Sequence, residues 1–197
     1  MWTVPAIAAV SAAPAFAAST CSPVTIDFSS YPTGQSVPSG TSYTFNGVTV
    51  TLKLSGDTGA DNNSTVYATT TSTKELRFYD LNAKNTAQTI TVNFSQQVKN
   101  LTLNIVDIDY ASSYDDRVVV NTAGYTASKG SSLKGDGSSS SPFYATNQAA
   151  DGATTNNVSL TWVSATSVNF TYAQSNTAVT GNPHIGLRTI VFTPTSC

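Results

Sequence analysis

The sequence predicts an all-β protein, a single antiparallel β-sandwich of jelly-roll-like form with about ten strands. Three observations predict it. Apolar and polar residues alternate with a period of two, turn residues punctuate the alternation, and one cysteine stands near each end of the mature chain. Period-two alternation turns one strand face to a core and the other to water, which marks antiparallel sheets. Val24, Ile26 and Phe28 share a parity against Thr25 and Asp27. Tyr43-Thr44-Phe45 and Val48-Thr49-Val50 flank Asn46-Gly47. That pair is a two-residue hairpin signal, because a type I′ turn needs positive φ at both central residues. Leu52 and Leu54 extend the second arm, and Ile90, Val92 and Phe94 oppose Thr89, Thr91 and Asn93. Leu101, Leu103 and Ile105 form a further stripe. Val158, Leu160 and Trp162 oppose Ser159 and Thr161, and Val168, Phe170 and Tyr172 oppose Asn169 and Thr171. Threonine suits the solvent positions because its branched Cβ fits the pleat while its hydroxyl hydrates. Polar, glycine-containing stretches at 57–64, 129–141 and 146–157 read as loops.

Composition narrows the function classes. The 197-residue chain is 40% hydrophobic and only 10% charged, with a formal net charge of −2. Nine Lys and Arg are outnumbered by eleven acids and form no run, which excludes a nucleic-acid binder working through a basic patch. The apolar share suffices for a core and excludes a charged, disordered chain. One histidine, His184, and one glutamate, Glu75, leave few of the usual acid–base groups. His184 follows Gly181-Asn182-Pro183 and reads as a turn residue ahead of the last strand.

The ends speak of export. Residues 1–18 carry no charge, and Ala15-Phe16-Ala17 is a small-x-small cleavage site, so 1–18 reads as an export signal and 19–197 as one domain. The basic n-region is missing, and a start upstream of Met1 would supply it. The stretch is short of the roughly 20 apolar residues of a membrane span. Cys21 and Cys197 bracket the domain and, in an oxidising compartment, read as one disulfide joining its ends.

Chemistry concentrates in one loop. Asp107, Asp109, Asp115 and Asp116 fall within ten residues, followed by Arg117. Asp107 and Asp109 continue the parity of Leu101, Leu103 and Ile105, whereas Val106 and Ile108 take the other. The apolar stripe therefore switches faces near Ile105, through a bulge that re-aims the strand or with two carboxylates at the core rim. Carboxylates at i and i+2 point the same way and call for a compensating cation. Calcium, which takes hard oxygen ligands, makes the four Asp its candidate ligands. A salt bridge to Arg117 and a solvated turn are the alternatives. Tyr110 and Tyr114 flank the loop and, with Arg117, are candidate ligand-binding residues, since flat amphipathic rings beside polar groups suit sugars.

Taken together, Gln88–Phe94, Val98–Leu103, Asp107-Ile108-Asp109 and Asp116-Arg117-Val118 resemble a module of secreted bacterial β-sandwiches. There a strand ending in Asp-x-Asp precedes an Asp-Arg-Val strand. Thr25–Phe28, Asn46–Val50 and Ile185–Phe192 fit the same pattern. The leader resembles the tail of actinobacterial export signals. The resemblance implies an extracellular, often jelly-roll domain, calcium-tolerant and carbohydrate- or surface-binding. The leading expectation is a secreted or cell-surface binding module, lectin-like or adhesin-like, with an extracellular glycan or surface component as partner. A structural surface protein with no specific ligand is the alternative. A glycosidase using Asp107 and Asp109 is the one enzymatic class to weigh, against the absence of a Glu there and of any nucleophile–base pair.

Overall fold

In the computed structural model, residues 21–56, 63–68, 74–79, 87–150, 152–174 and 183–197 are described. The expected export segment at 1–18 and most of the Asp57–Asn63 loop lie outside them. Four strands open the chain: β1 (Val24–Asp27), β2 (Ser36–Pro38), β3 (Ser42–Phe45) and β4 (Val48–Gly56). β5 (Asn63–Ala68), β6 (Lys74–Tyr79) and the 20-residue β7 (Ala87–Val106) follow. Next come β8 (Tyr110–Ala111), β9 (Tyr114–Val120), β10 (Tyr125–Lys129), β11 (Leu133–Lys134) and β12 (Phe143–Ala145). The 17-residue β13 (Val158–Gln174) and β14 (His184–Pro194) close the chain. These fourteen strands exceed the expected ten because β2, β8, β11 and β12 are two- or three-residue pieces, with β8 and β11 inside stretches that read as loops.

All pairings are antiparallel, and the sheet curls on itself into a sandwich. β7 and β13 run side by side from Ala87↔Ala173 to Ile105↔Val158. The first half of β7 also pairs β4, and its second half pairs β14. β13 likewise pairs β10 with its first half and β9 with its second. β14 completes the second layer by pairing β1 at one end and β6 at the other. The two long strands thus belong to both layers.

The core lies between those layers. Phe94 from the first half of β7 meets Phe192 of β14 with ring centroids 5.2 Å apart, and Phe170 of β13 meets Phe78 of β6 at 6.4 Å. From Ile90 to Val98 the core residues of β7 are even-numbered (Ile90, Val92, Phe94, Val98), and from Leu101 to Ile105 odd-numbered (Leu101, Leu103, Ile105). Asn100, with φ of 49°, supplies the change of phase, asparagine being one of the few residues at ease in the left-handed region. Asn46 and Gly47 have φ of 48° and 76° and join β3 to β4 in the anticipated hairpin. Trp162 is buried and its indole N–H points at the Thr122 and Ala123 carbonyls. Among the described residues no helix is long and apolar enough to cross a membrane.

Cys21 and Cys197 are disulfide-bonded across 176 positions of sequence, just outside the β1–β14 pair. On the chain-entropy account, closing so long a loop contributes about 5 kcal/mol. Thermal melts with and without a reductant should therefore show a fall in Tm of about 10 °C or more, matched by Cys197→Ser.

Candidate functional site

The outer face of the β6–β14–β7 layer carries charge where water would be expected. On β6, Leu76 and Phe78 enter the core, so Glu75 and Arg77 point the other way, yet they are 0% and 2% exposed. On β14, Ile185 and Leu187 enter the core, leaving His184 and Gly186 on the outer face. Gly186 sits opposite both Arg77 and Val106. A Cβ there would lie 2.7 Å from Glu75 Cγ and Cδ and 2.8 Å from Val106 Cγ2. The missing side chain is what lets Glu75 lie across β14. One step further, Leu187 faces Ile105 and Thr189 faces Asn104, so Arg188 is the extra residue of a bulge.

Asp107 is delivered by the end of β7. Its φ of 64° breaks the strand, and the alternation slips: Ile105 and Ile108 are both core residues, while Val106 and Asp107 are buried outside that core cluster. In place of the bulge that the parity switch suggested for this strand, a left-handed residue ends β7 and re-aims the chain, and the bulge lies opposite, in β14. Asp107 N–H donates to Asn157 Oδ1 (3.2 Å) and Ile108 N–H to the Asn156 carbonyl (3.1 Å), tying the turn to the loop before β13.

These placements assemble five charged or titratable groups. Arg77 Nε donates to Glu75 Oε1 at 2.9 Å, and its Nη2 stands 4.0 Å from Asp107 Oδ2. Arg188 Nη2 is 3.8 Å from Glu75 Oε2, and His184 Nε2 is 2.6 Å from Asp107 Oδ2. Burial first, and then the neighbouring Asp107 carboxylate, push the Glu75 carboxyl above the usual range, while Arg77 pulls it back. Glu75, Asp107 and His184 each offer a ligand atom within 4.8 Å of the others, a triad able to hold a metal ion. His184 is therefore corrected from turn residue to the first residue of β14 and a member of this cluster.

The other acids of the loop take separate protein partners. Asp115 is paired with Arg117, whose Nε and Nη2 approach Oδ2 at 3.0 and 2.7 Å. The salt-bridge alternative thus describes Asp115. Asp109 accepts from the Asn156 amide and the Ala149 N–H, and burial together with Asp107 pushes it up to about 6. Asp116 is fully enclosed; Tyr172 O–H (2.7 Å) and the Gln174 amide donate to Oδ1, and Asp109 N–H to Oδ2. Burial outweighs these donors and pushes Asp116 up to about 8. Of the four Asp expected to share a cation, Asp107 alone belongs to the triad. Tyr110 is 40% exposed and pairs Asp115 across the β8–β9 turn, with Tyr114 partly buried beside it. Arg117 lies over the Tyr144 ring, 5.2 Å from its centroid.

A cleft of about 320 Å³ opens on the same sheet face, lined by Asn104, Ser128, Lys129, Gly130, Thr154, Asn157, Ser159 and Arg188. Asn104 of β7 donates to Ser159 of β13 at 3.0 Å across its floor. Arg188 and Asn157 belong to both cleft and cluster. Glu75, Arg77 and Arg188 escaped the sequence reading because alternation assigns such positions to water. The one clue was Gly186 inside a strand, a mark of close approach by another group.

No protein-family profile, curated protein or solved structure matches this chain.

Two outcomes follow from this geometry. Gly186→Ala should force Glu75 off its bond to Arg77 and lower stability by about 1–3 kcal/mol in urea melts, a loss partly relieved by Glu75→Ala. Asp116 holds its proton far longer when folded than the ordinary carboxylate of the unfolded chain. Its contribution to stability is thus full below roughly pH 4 and is lost as pH rises through about 8. Melting temperature across that range should fall more steeply for the parent than for Asp116→Asn.

Proposed function

We propose that this protein is an exported, extracellular binding module for a hydroxyl-rich ligand of the glycan class. The observation that carries this reading is the cleft on the outer sheet face. Its lining of amides and hydroxyls supplies paired donors and acceptors, and Lys129 and Arg188 add positive charge for an acidic sugar. Its floor belongs to β7, β13 and β14, the best-braced strands of the fold, so binding requires little ordering. Tyr110 and Tyr114 extend the surface as ring platforms from the neighbouring hairpin. The disulfide between the chain ends supports an oxidising compartment. The likeness to secreted bacterial surface modules agrees with this reading.

A glycosidase is less well supported, because the Asp107 and Asp109 carboxylates are buried and engaged by His184 and Asn156. Calcium is disfavoured as the triad's ion, since two carboxylates and an imidazole nitrogen fall short of the six to eight oxygens it takes.

A glycan array probed with the oxidised chain should give binding to acidic oligosaccharides, weakened at least about tenfold by Asn104→Ala. Binding to no glycan at high protein concentration, or binding indifferent to Asn104, would overturn the proposal and leave a structural surface protein.

A further inference from the structure

The triad of Glu75, Asp107 and His184 has a donor set that differs from the calcium loop expected of the acidic run. We propose that it binds one divalent transition-metal ion of the zinc class. Two carboxylate oxygens and one imidazole nitrogen form a mixed O,O,N set that suits zinc and its neighbours, and a fourth position is left for water. The three groups come from adjacent strands of one layer: β6, the residue after β7, and the first residue of β14. Glu75 and His184 are therefore spaced by sheet hydrogen bonding, and Asp107 by the turn that ends β7.

An independent feature points to a ligand. Glu75 Oε2 is buried and accepts no hydrogen bond from the described residues, while Oε1 is held by Arg77. A buried carboxylate oxygen without a donor is costly, and a cation at the triad would satisfy it. Arg188 Nη2, 3.8 Å from it, is too far for a hydrogen bond. Arg77 then has the role of an outer partner that orients Glu75.

The geometry needs little change. His184 Nε2 and Asp107 Oδ2 stand 2.6 Å apart, so a single ion can reach both. Ligand bonds of about 2.0–2.2 Å require that gap to open by less than an ångström and Glu75 to draw inward from the 4.8 Å envelope. Asp107 and His184 retain side-chain exposures of 9% and 14%, which gives the ion a path from solvent. Two arginines nearby, Arg77 and Arg188, oppose the ion and set a limit on its affinity. Arg188, itself 19% exposed, is partly screened by water in the cleft.

The test uses the oxidised, tag-free full chain, stripped with a chelator and titrated at neutral pH with zinc, cobalt(II) or calcium chloride. Zinc should bind with one-to-one stoichiometry by calorimetry and raise Tm by roughly 5 °C or more at a hundredfold excess over its dissociation constant. Because the chain has a single histidine, its imidazole NMR signals report the site directly and need no variant. They should shift with stoichiometric zinc, and cobalt should give visible absorption bands. His184→Gln should weaken zinc binding at least about tenfold. An imidazole unmoved by zinc, undiminished binding in His184→Gln, or an equal Tm rise with calcium would overturn the proposal. Glycan binding is measured separately, so failure of the cleft reading leaves this result standing, and the reverse.

Discussion

The pairing of β7 with β13 is the constraint on which the rest depends. Each strand is long enough to serve in both layers, so their ladder fixes where the sheet curls and which halves face one another. β4 and β14 can pair successive halves of β7 because the strand bends between Phe94 and Val98 and changes phase at Asn100. Without that change, Leu101, Leu103 and Ile105 would face water and the second layer would lose its share of the core. The disulfide secures the same arrangement from outside, since β1 is held in place only by β14 among the described strands.

The same layer has two unlike faces. Its inner face is ordinary core: Leu76, Phe78, Ile185, Leu187 and Ile190 are all fully or nearly fully buried. Its outer face begins with hydroxyls and amides over β13 and β7 and ends in buried ions over β6 and β14. Three local backbone features shape that end. The left-handed Asp107 turns a carboxylate outward, the Arg188 bulge places a guanidinium between cleft and cluster, and Gly186 clears space for Glu75. Bulges commonly re-aim side chains beside binding sites.

Much of the fold was legible in the residues themselves. Asn46-Gly47 encodes its own turn, and the alternating runs name their core members, from Val24 to Tyr172, because parity is a local property. The disulfide was legible because only two cysteines exist. The cluster was hardly legible. Glu75, Asp107 and His184 meet through the pairing of strands far apart in sequence, and no local spacing records that register. Alternation also misleads there: Glu75 and Arg77 obey the outward parity but are covered. The acidic run drew attention to the right neighbourhood for a partly mistaken reason. Its four carboxylates share a stretch of sequence, but the turn at Asp107 and the β8–β9 hairpin send them to different partners.

Stability alone gives a poor account of that cluster. Taking Glu75, Arg77 and Asp107 out of water carries a desolvation penalty of several kcal/mol per ion, which pairing repays only with short, complete hydrogen bonding. Arg77 makes a good hydrogen bond to Glu75 Oε1, but the approaches of Arg188 to Glu75 and of Arg77 to Asp107 are long, at 3.8 and 4.0 Å, and among the described residues Glu75 Oε2 goes without a donor. Apolar residues of similar volume would hold the same strands at no such penalty, as Val106 does beside them. A buried carboxylate oxygen left so is better explained by what it can accept than by what it holds together. The cluster's partly exposed members are Asp107, His184 and Arg188, and Arg188 also lines the cleft, so cluster and cleft adjoin on the outer face of one layer.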